Sequence, residues 1–143
     1  MRYVVGMDIG GTNLVVGCVA EDGSMLSALR SEATRPEEGA DAVIHRLTRL
    51  ARAAMEETAA DQPDSIFTGV GIGAPGPLNT RTGVVLLTPN LGWVDMPLRD
   101  RLQQSLNLPA SLDNDANCAV LGECWLGAAR DARVAIGITI GTG

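Results

Sequence analysis

The chain has 143 residues, 45% hydrophobic and 20% charged, the balance of one ordinary domain with a packed core. Its formal charge of −6 would repel nucleic acid or an anionic membrane at long range, yet it leaves room for a small anion held locally by backbone N–H groups and a metal ion. All eleven basic residues are arginine, which excludes the phosphate-loop lysine and the strand lysine of protein kinases within this chain.

Tyr3 to Ile9 is an apolar, β-branched run stopped by Gly10 and Gly11, and Leu14 to Ala20 is a second run ended by Asp22-Gly23. Two strands joined by a tight glycine turn predict a hairpin. Met25 to Thr34 supplies a third strand, with its alternation interrupted at Arg30 and Glu32. From Gly39 to Ala60 the period becomes helical: Val43, Leu47, Leu50 and Ala54 form the apolar stripe, Arg46, Arg49, Arg52, Glu56 and Glu57 lie between them, and Asp61-Gln62-Pro63-Asp64 ends the helix.

Ile66 to Ile72 returns to a strand pattern and runs into Gly73-Ala74-Pro75-Gly76-Pro77, after which Leu78-Asn79-Thr80 reads as loop. Val84 to Leu87 is a short strand, Pro97 to Leu106 a short helix entered through proline, and Ala110 to Leu112 a buried strand that ends in Asp113-Asn114-Asp115. Ala116 to Ala129 is an alanine-rich helix, and Val134 to Ile140 is a last apolar strand before Gly141-Thr142-Gly143. This order predicts an α/β fold with a mixed sheet flanked by helices, without repeats or linkers. Cys18, Cys118 and Cys124 form no close pair and read as reduced core thiols of a cytoplasmic protein. Neither a signal peptide nor an apolar run of about 18 residues is present, so secretion and membrane insertion are not expected.

Four constellations carry chemistry. In Asp8-Ile9-Gly10-Gly11-Thr12-Asn13 the glycines allow close backbone approach to a phosphate, Thr12 and Asn13 add neutral donors, and Asp8 suits a hydrated Mg²⁺; a mere hairpin turn is the simpler alternative. Gly71-Ile72-Gly73-Ala74-Pro75-Gly76 fits the dinucleotide pattern in letters only, because Pro75 and Pro77 prevent its last glycine from opening a helix. A rigid loop that brings backbone groups to a small polar ligand fits it better. Asp113-Asn114-Asp115-Ala116-Asn117 sits at a strand-to-helix junction, and Cys118 and Cys124 occupy positions where a calcium loop needs glycine and glutamate. Asp115 or Asn114 can cap the helix, but a cap needs one polar residue rather than three, which favours a site. Ile140-Gly141-Thr142-Gly143 is a second strand that runs into a glycine and hydroxyl turn. His45 reads as a surface residue, and Trp93 and Trp125 as packing, although Trp93 is close enough to Asn90 to wall a ligand pocket.

Together D-I-G-G-T-N at 8–13, G-I-G-A-P-G-P at 71–77, T-P-N-L-G-W at 88–93, L-D-N-D-A-N at 112–117 and I-G-T-G at 140–143 resemble the ROK family (repressor, open reading frame, kinase) along the whole chain. The resemblance implies a ribonuclease-H-like lobe of the actin and hexokinase type. It also implies that Gly10, Gly11, Thr12 and Asn13 form a first phosphate motif and Gly141, Thr142 and Gly143 a second. By the same likeness Gly76, Asn90, Asn114 and Asp115 face sugar hydroxyls, Asp115 is the general base, and Asp113 supports the turn. Asn13 stands where many relatives have lysine, which leaves phosphate binding to backbone donors.

The implied reaction is ATP plus hexose giving ADP plus hexose 6-phosphate, with Mg²⁺, and glucose is the first expectation because T-P-N-L-G-W and L-D-N-D-A-N look most like the glucokinase branch. N-acetylhexosamine, fructose and allose kinases share nearly the same residues. A sugar-responsive repressor is the competing class, but its winged helix would precede a first strand that here begins at Tyr3. A third possibility is a non-catalytic interaction lobe. Family members continue into a second lobe with a structural Zn²⁺ site and the adenine pocket, so residues 1–143 are expected to be a truncated amino-terminal lobe, inactive alone, of a protein that forms a homodimer or larger homo-oligomer without nucleic-acid or membrane partners.

Overall fold

A computed structural model describes residues 1–140. Strict alternation in the first two strands builds its centre. In β1 (Arg2–Ile9) the buried positions are Tyr3, Val5, Met7 and Ile9, and in β2 (Asn13–Ala20) they include Leu14, Val16, Cys18 and Ala20. Period 2 therefore puts one apolar face of the hairpin inward. The antiparallel β3 (Leu26–Ala33) extends the hairpin, and α1 (Ala40–Asp61) crosses to β4 (Ile66–Ala74), which lies parallel to β1.

Helix α1 lays Val43, Leu47, Leu50, Ala51 and Ala54 into the same apolar cluster as the inward residues of β1 and β2. Leu47 is fully buried, and burial of such a side chain stabilises the fold by about 1.5–3 kcal/mol. Arg46 departs from the expected polar face: it is 8% exposed. Its position three residues after Val43 puts it on the apolar stripe, and its burial there is compensated by the carboxylates of Glu32 and Glu38 and the carbonyl of Thr34.

β5 (Leu78–Asn79), β6 (Val84–Thr88) and β7 (Trp93–Met96) form a small antiparallel sheet. Two of its strands were not expected: β5 has only two residues, and β7 follows Gly92 and contains Asp95, both at positive φ, so neither carries a strand-length pattern. Trp93 is 2% exposed and belongs to the core, in agreement with its reading as packing. α2 (Leu98–Leu106) buries Leu98 and Leu102 and leads into β8 (Ala110–Asn114), which lies parallel to β4. The main sheet has the order β3-β2-β1-β4-β8, and α3 (Asp115–Leu126) follows β8 directly and stops at Gly127, short of the expected Ala129.

The strand expected over 134–140 does not form. Val134, Ile136, Ile138 and Ile140 are each more than 80% exposed, and no described strand pairs with them. Alternation supplies the side chains of a strand but not its hydrogen-bonding partner, and an unpaired strand has little stability of its own. Among the cysteines, Cys18 is buried, Cys118 is half-buried and Cys124 is exposed, so only Cys18 is a core thiol. No described helix is long and apolar enough to cross a membrane.

Candidate active site

The three parallel strands β1, β4 and β8 end side by side. Asp8 of β1 is in register with Gly73 of β4, and Gly73 with Asp113 of β8. Ligands of open α/β sheets bind outside such carboxyl ends, where loops diverge from strands that the core holds rigid. A cavity of about 710 Å³ opens there, lined by Met7, Asp8, Gly73, Asp115 and Cys118, with Thr139 and Ile140 at its margin.

Asp115 owes its position to the junction beneath it. Asn114 is the N-cap of α3, and its Oδ1 accepts from the N–H groups of Ala116 at 3.0 Å and Asn117 at 3.3 Å. Asp113 accepts from the Asn114 N–H at 2.7 Å and from Asn117 Nδ2 at 3.0 Å, which is the turn-supporting role expected of it. Asp115 is the first helical residue, and its Oδ1 accepts from the Ala116 N–H at 2.8 Å. The three polar residues thus divide their tasks: one caps, one braces the cap, and one projects into the cavity. The cap occupies Asn114 Oδ1, and Asn114 itself is not among the residues that line the cavity.

Burial pushes the Asp8 carboxyl above the usual carboxylate range, and the negative charge of Asp115 pushes it further. Burial likewise raises the Cys118 thiol, assisted by Asp113, Asp115 and Asp8, so the thiol stays neutral amid three converging carboxylates. A cation would relieve this repulsion. Mg²⁺ suits the donor set, since it keeps several waters and takes one or two carboxylates plus substrate phosphates. Among the described residues no three His, Cys, Asp or Glu side chains form a group that could hold a metal ion, so an ion here would depend on water and substrate oxygens for most of its ligands.

The glycine turn follows Asp8 at the end of β1, and Gly10 to Asn13 are not among the residues that line the cavity. Gly10 N–H donates to Asn13 O at 2.9 Å and closes the turn between β1 and β2. Gly11 packs against the β6–β7 turn, where a Cβ at Gly11 would lie 3.2 Å from Asn90 Cβ. The structure therefore joins Asn90, from the small sheet, to the expected phosphate turn. Gly76 has φ +82°, and a Cβ there would meet Leu87 O at 2.3 Å, so the loop after β4 can press on β6 only with glycine. Gly141, Thr142 and Gly143 lie outside the described residues.

Four residues near the site had not been singled out. Met7 and Cys118 line the cavity, and the signal for both is adjacency to the Asp8 and Asp115 motifs. Thr34 and Arg46 brace the glycine turn from behind: Thr34 Oγ1 donates to Gly10 O at 2.6 Å, and Arg46 Nη1 donates to Thr34 O at 2.6 Å. A charged residue on an apolar helical stripe is the sequence signal that could have found Arg46.

The sequence profile of the ROK family matches residues 4–143. The chain belongs to the ROK family. This ROK chain is 38% identical to the glucokinase of Thermotoga maritima over 141 residues, which cover 98% of the chain and 42% of that relative. A ROK family glucokinase from Streptomyces griseus, solved with glucose and AMPPNP, superposes with a TM-score of 0.75 at 34% identity and covers 90% of this chain and 38% of its own. A xylose repressor from Caldicellulosiruptor bescii is 48% identical over 68 residues, 48% of this chain and 17% of the repressor. The chain spans about 42% of the length of the curated glucokinases it matches. Its fold is the mixed α/β lobe of ROK sugar kinases, of the actin and hexokinase type.

Proposed function

We propose that this chain is the amino-terminal lobe of an ATP-dependent hexose kinase that phosphorylates a sugar 6-hydroxyl, with glucose the preferred sugar. The observation that carries the reading is the convergence of Asp115 and Asp8 on one cavity at the strand ends, beside a glycine turn, in a chain similar to glucokinases.

In this reading Asp115, held by its N-cap, accepts the proton of the primary hydroxyl as that oxygen attacks the γ-phosphorus in line, and ADP leaves with its β-phosphate oxygen. Asn90, Asn114 and the backbone at Gly76 orient the sugar. Backbone N–H groups of Gly10 to Asn13 and the Thr12 hydroxyl hold phosphate oxygens, and Gly141, Thr142 and Gly143 are the proposed second phosphate turn. Asp8 would hold Mg²⁺, which, bound with ATP, would neutralise charge on the phosphates. Little covalent work remains for the protein, because phosphoryl transfer rests on positioning and charge stabilisation. One lobe forms one wall of such a cleft, so residues 1–143 alone are expected to be inactive.

The test is coupled ADP release by the full-length protein with Mg·ATP and, in turn, glucose, N-acetylglucosamine, N-acetylmannosamine, fructose and allose. The highest kcat/KM is expected with glucose. The xylose repressor match favours a second reading, a sugar-responsive regulator. Thermal stabilisation by a sugar, with no ADP release from any of the five, would favour that reading and contradict the kinase.

A further inference from the structure

Thr34 lies outside every motif of the proposed nucleotide site, yet it is fully buried and makes three hydrogen bonds toward or away from the glycine turn. Its Oγ1 donates to Gly10 O at 2.6 Å, its N–H donates to Thr12 O at 2.8 Å, and its carbonyl accepts from Arg46 Nη1 at 2.6 Å. Arg46 is held in turn by Glu32, whose Oε1 lies 3.2 Å from Nε, and by the Glu38 carboxylate. A hydrogen-bonded chain therefore runs from two acidic residues through a buried guanidinium to the back of the turn.

We propose that Thr34, anchored by Arg46, is a positioning residue for the nucleotide phosphates. A trans peptide is planar, and its C=O and N–H point in opposite directions. Drawing the Gly10 carbonyl onto Thr34 Oγ1 therefore aims the N–H of Gly11 away from Thr34, which presents it as an anion donor. Glycine imposes no preferred φ, so without this tie the peptide between Gly10 and Gly11 would be free to rotate. Arg46 fixes Thr34 itself, because a buried carbonyl that has lost its donor is costly and so holds its partner tightly. The acidic pair keeps the guanidinium in the apolar layer, where an uncompensated charge would not be retained.

The inference rests on the kinase reading, and one experiment separates the two. Affinity for AMPPNP with Mg²⁺, affinity for glucose, and Tm are measured by calorimetric titration and thermal melts on the full-length protein and its variants. Thr34→Val keeps the shape and the backbone N–H but loses the hydroxyl, and it is expected to weaken AMPPNP by about five- to thirtyfold while glucose affinity changes less than about twofold. Thr34→Ser should restore nucleotide affinity to within about threefold of wild type. Thr58→Val removes another buried hydroxyl, which donates to Ser27 Oγ at 3.1 Å far from the turn, and it should lower Tm without changing AMPPNP affinity.

A Thr34→Val protein that loses Tm as Thr58→Val does but binds AMPPNP normally, or that loses both ligands equally, would overturn the proposal. Should Thr34→Val fail to fold, Glu38→Ala loosens the same chain at its exposed end: weakening of AMPPNP by about two- to fourfold supports the role, and unchanged affinity overturns it. Wild-type protein that neither binds AMPPNP nor releases ADP would overturn the kinase reading and this proposal together.

Discussion

Helices α1 and α3 flank the same sheet and are finished to different degrees. On α1 eight residues are buried, on one side, and Arg49, Arg52, Glu56 and Glu57 lie on the exposed side. On α3 none is buried, although Ala116, Cys118, Ala119, Val120, Leu121, Trp125 and Leu126 make it apolar around its circumference. A helix that is apolar all round is one that a protein covers on more than one side. Beneath α3 the sheet is floored by Gly17, Gly6, Gly71 and Ser111, in register across four strands, and about 800 Å³ of open groove separates this floor from Leu121 and Trp125. The contrast shows that the hairpin and α1 are a fully packed part of the core. The junction at Asp115, by contrast, begins a helix whose first turn is tightly hydrogen-bonded and whose remainder is loosely supported.

One substitution in each helix tests the difference between them. Leu47→Ala on α1 should destabilise residues 1–143 by about 2–5 kcal/mol in urea unfolding, because it removes a fully buried side chain and leaves a cavity. A cost below about 1 kcal/mol would mean that the α1 face is not the packed unit it is taken for.

The glycine turn attached to that unit is rigid enough to be tested by steric intrusion. Gly11→Val in the full-length protein should raise KM for ATP by about tenfold or more and KM for the sugar by about two- to threefold, the smaller effect passing through Asn90, whose Cβ the new side chain would press from 3.2 Å. Unchanged ATP kinetics would remove the turn from the phosphate site.

Asp8 gives a smaller effect with a defined pH sign. Its folded-state pKa is raised above the ordinary 3.8, so the ionised form costs the fold stability at neutral pH, and that cost vanishes as pH falls below the ordinary value. Asp8→Asn should therefore melt higher than wild type at pH 7, with the advantage fading as pH falls through the carboxylate range, and should lose activity in the full-length protein. A lower Tm at pH 7 would contradict the repulsion from Asp115. The smallest effect is expected on α3: Leu121→Gln, at a residue 61% exposed, should change the stability of residues 1–143 by no more than about 0.5 kcal/mol.

The same contrast explains what was legible in the sequence. The hairpin, α1 and the Asp113 to Asp115 junction are written in local signals: period 2, period 3.6, a glycine turn and a cap. The segment 134–140 has equally clear alternation and yet forms no described strand, because pairing is a property of two segments and one segment's pattern cannot supply it. Arg46 was misassigned to the polar face for a related reason. The carboxylates of Glu32 and Glu38 and the carbonyl of Thr34, which make its burial tolerable, come from residues 8 to 14 positions away and meet it only in the fold. Of the site, the glycine turn and Asp115 were readable as motifs, whereas the apposition of Gly11 to Asn90 depends on how the small sheet docks against the large one.

The account depends most on Asp115 as the general base, rather than as one more capping residue beside Asn114. Asp115→Asn in the full-length protein preserves size and helix position, and steady-state kinetics with Mg·ATP and glucose should give a kcat reduced by roughly 10²-fold or more, with sugar affinity within about tenfold of wild type. A kcat that survives nearly unchanged would reduce Asp115 to a structural residue of the α3 amino terminus and contradict the mechanism.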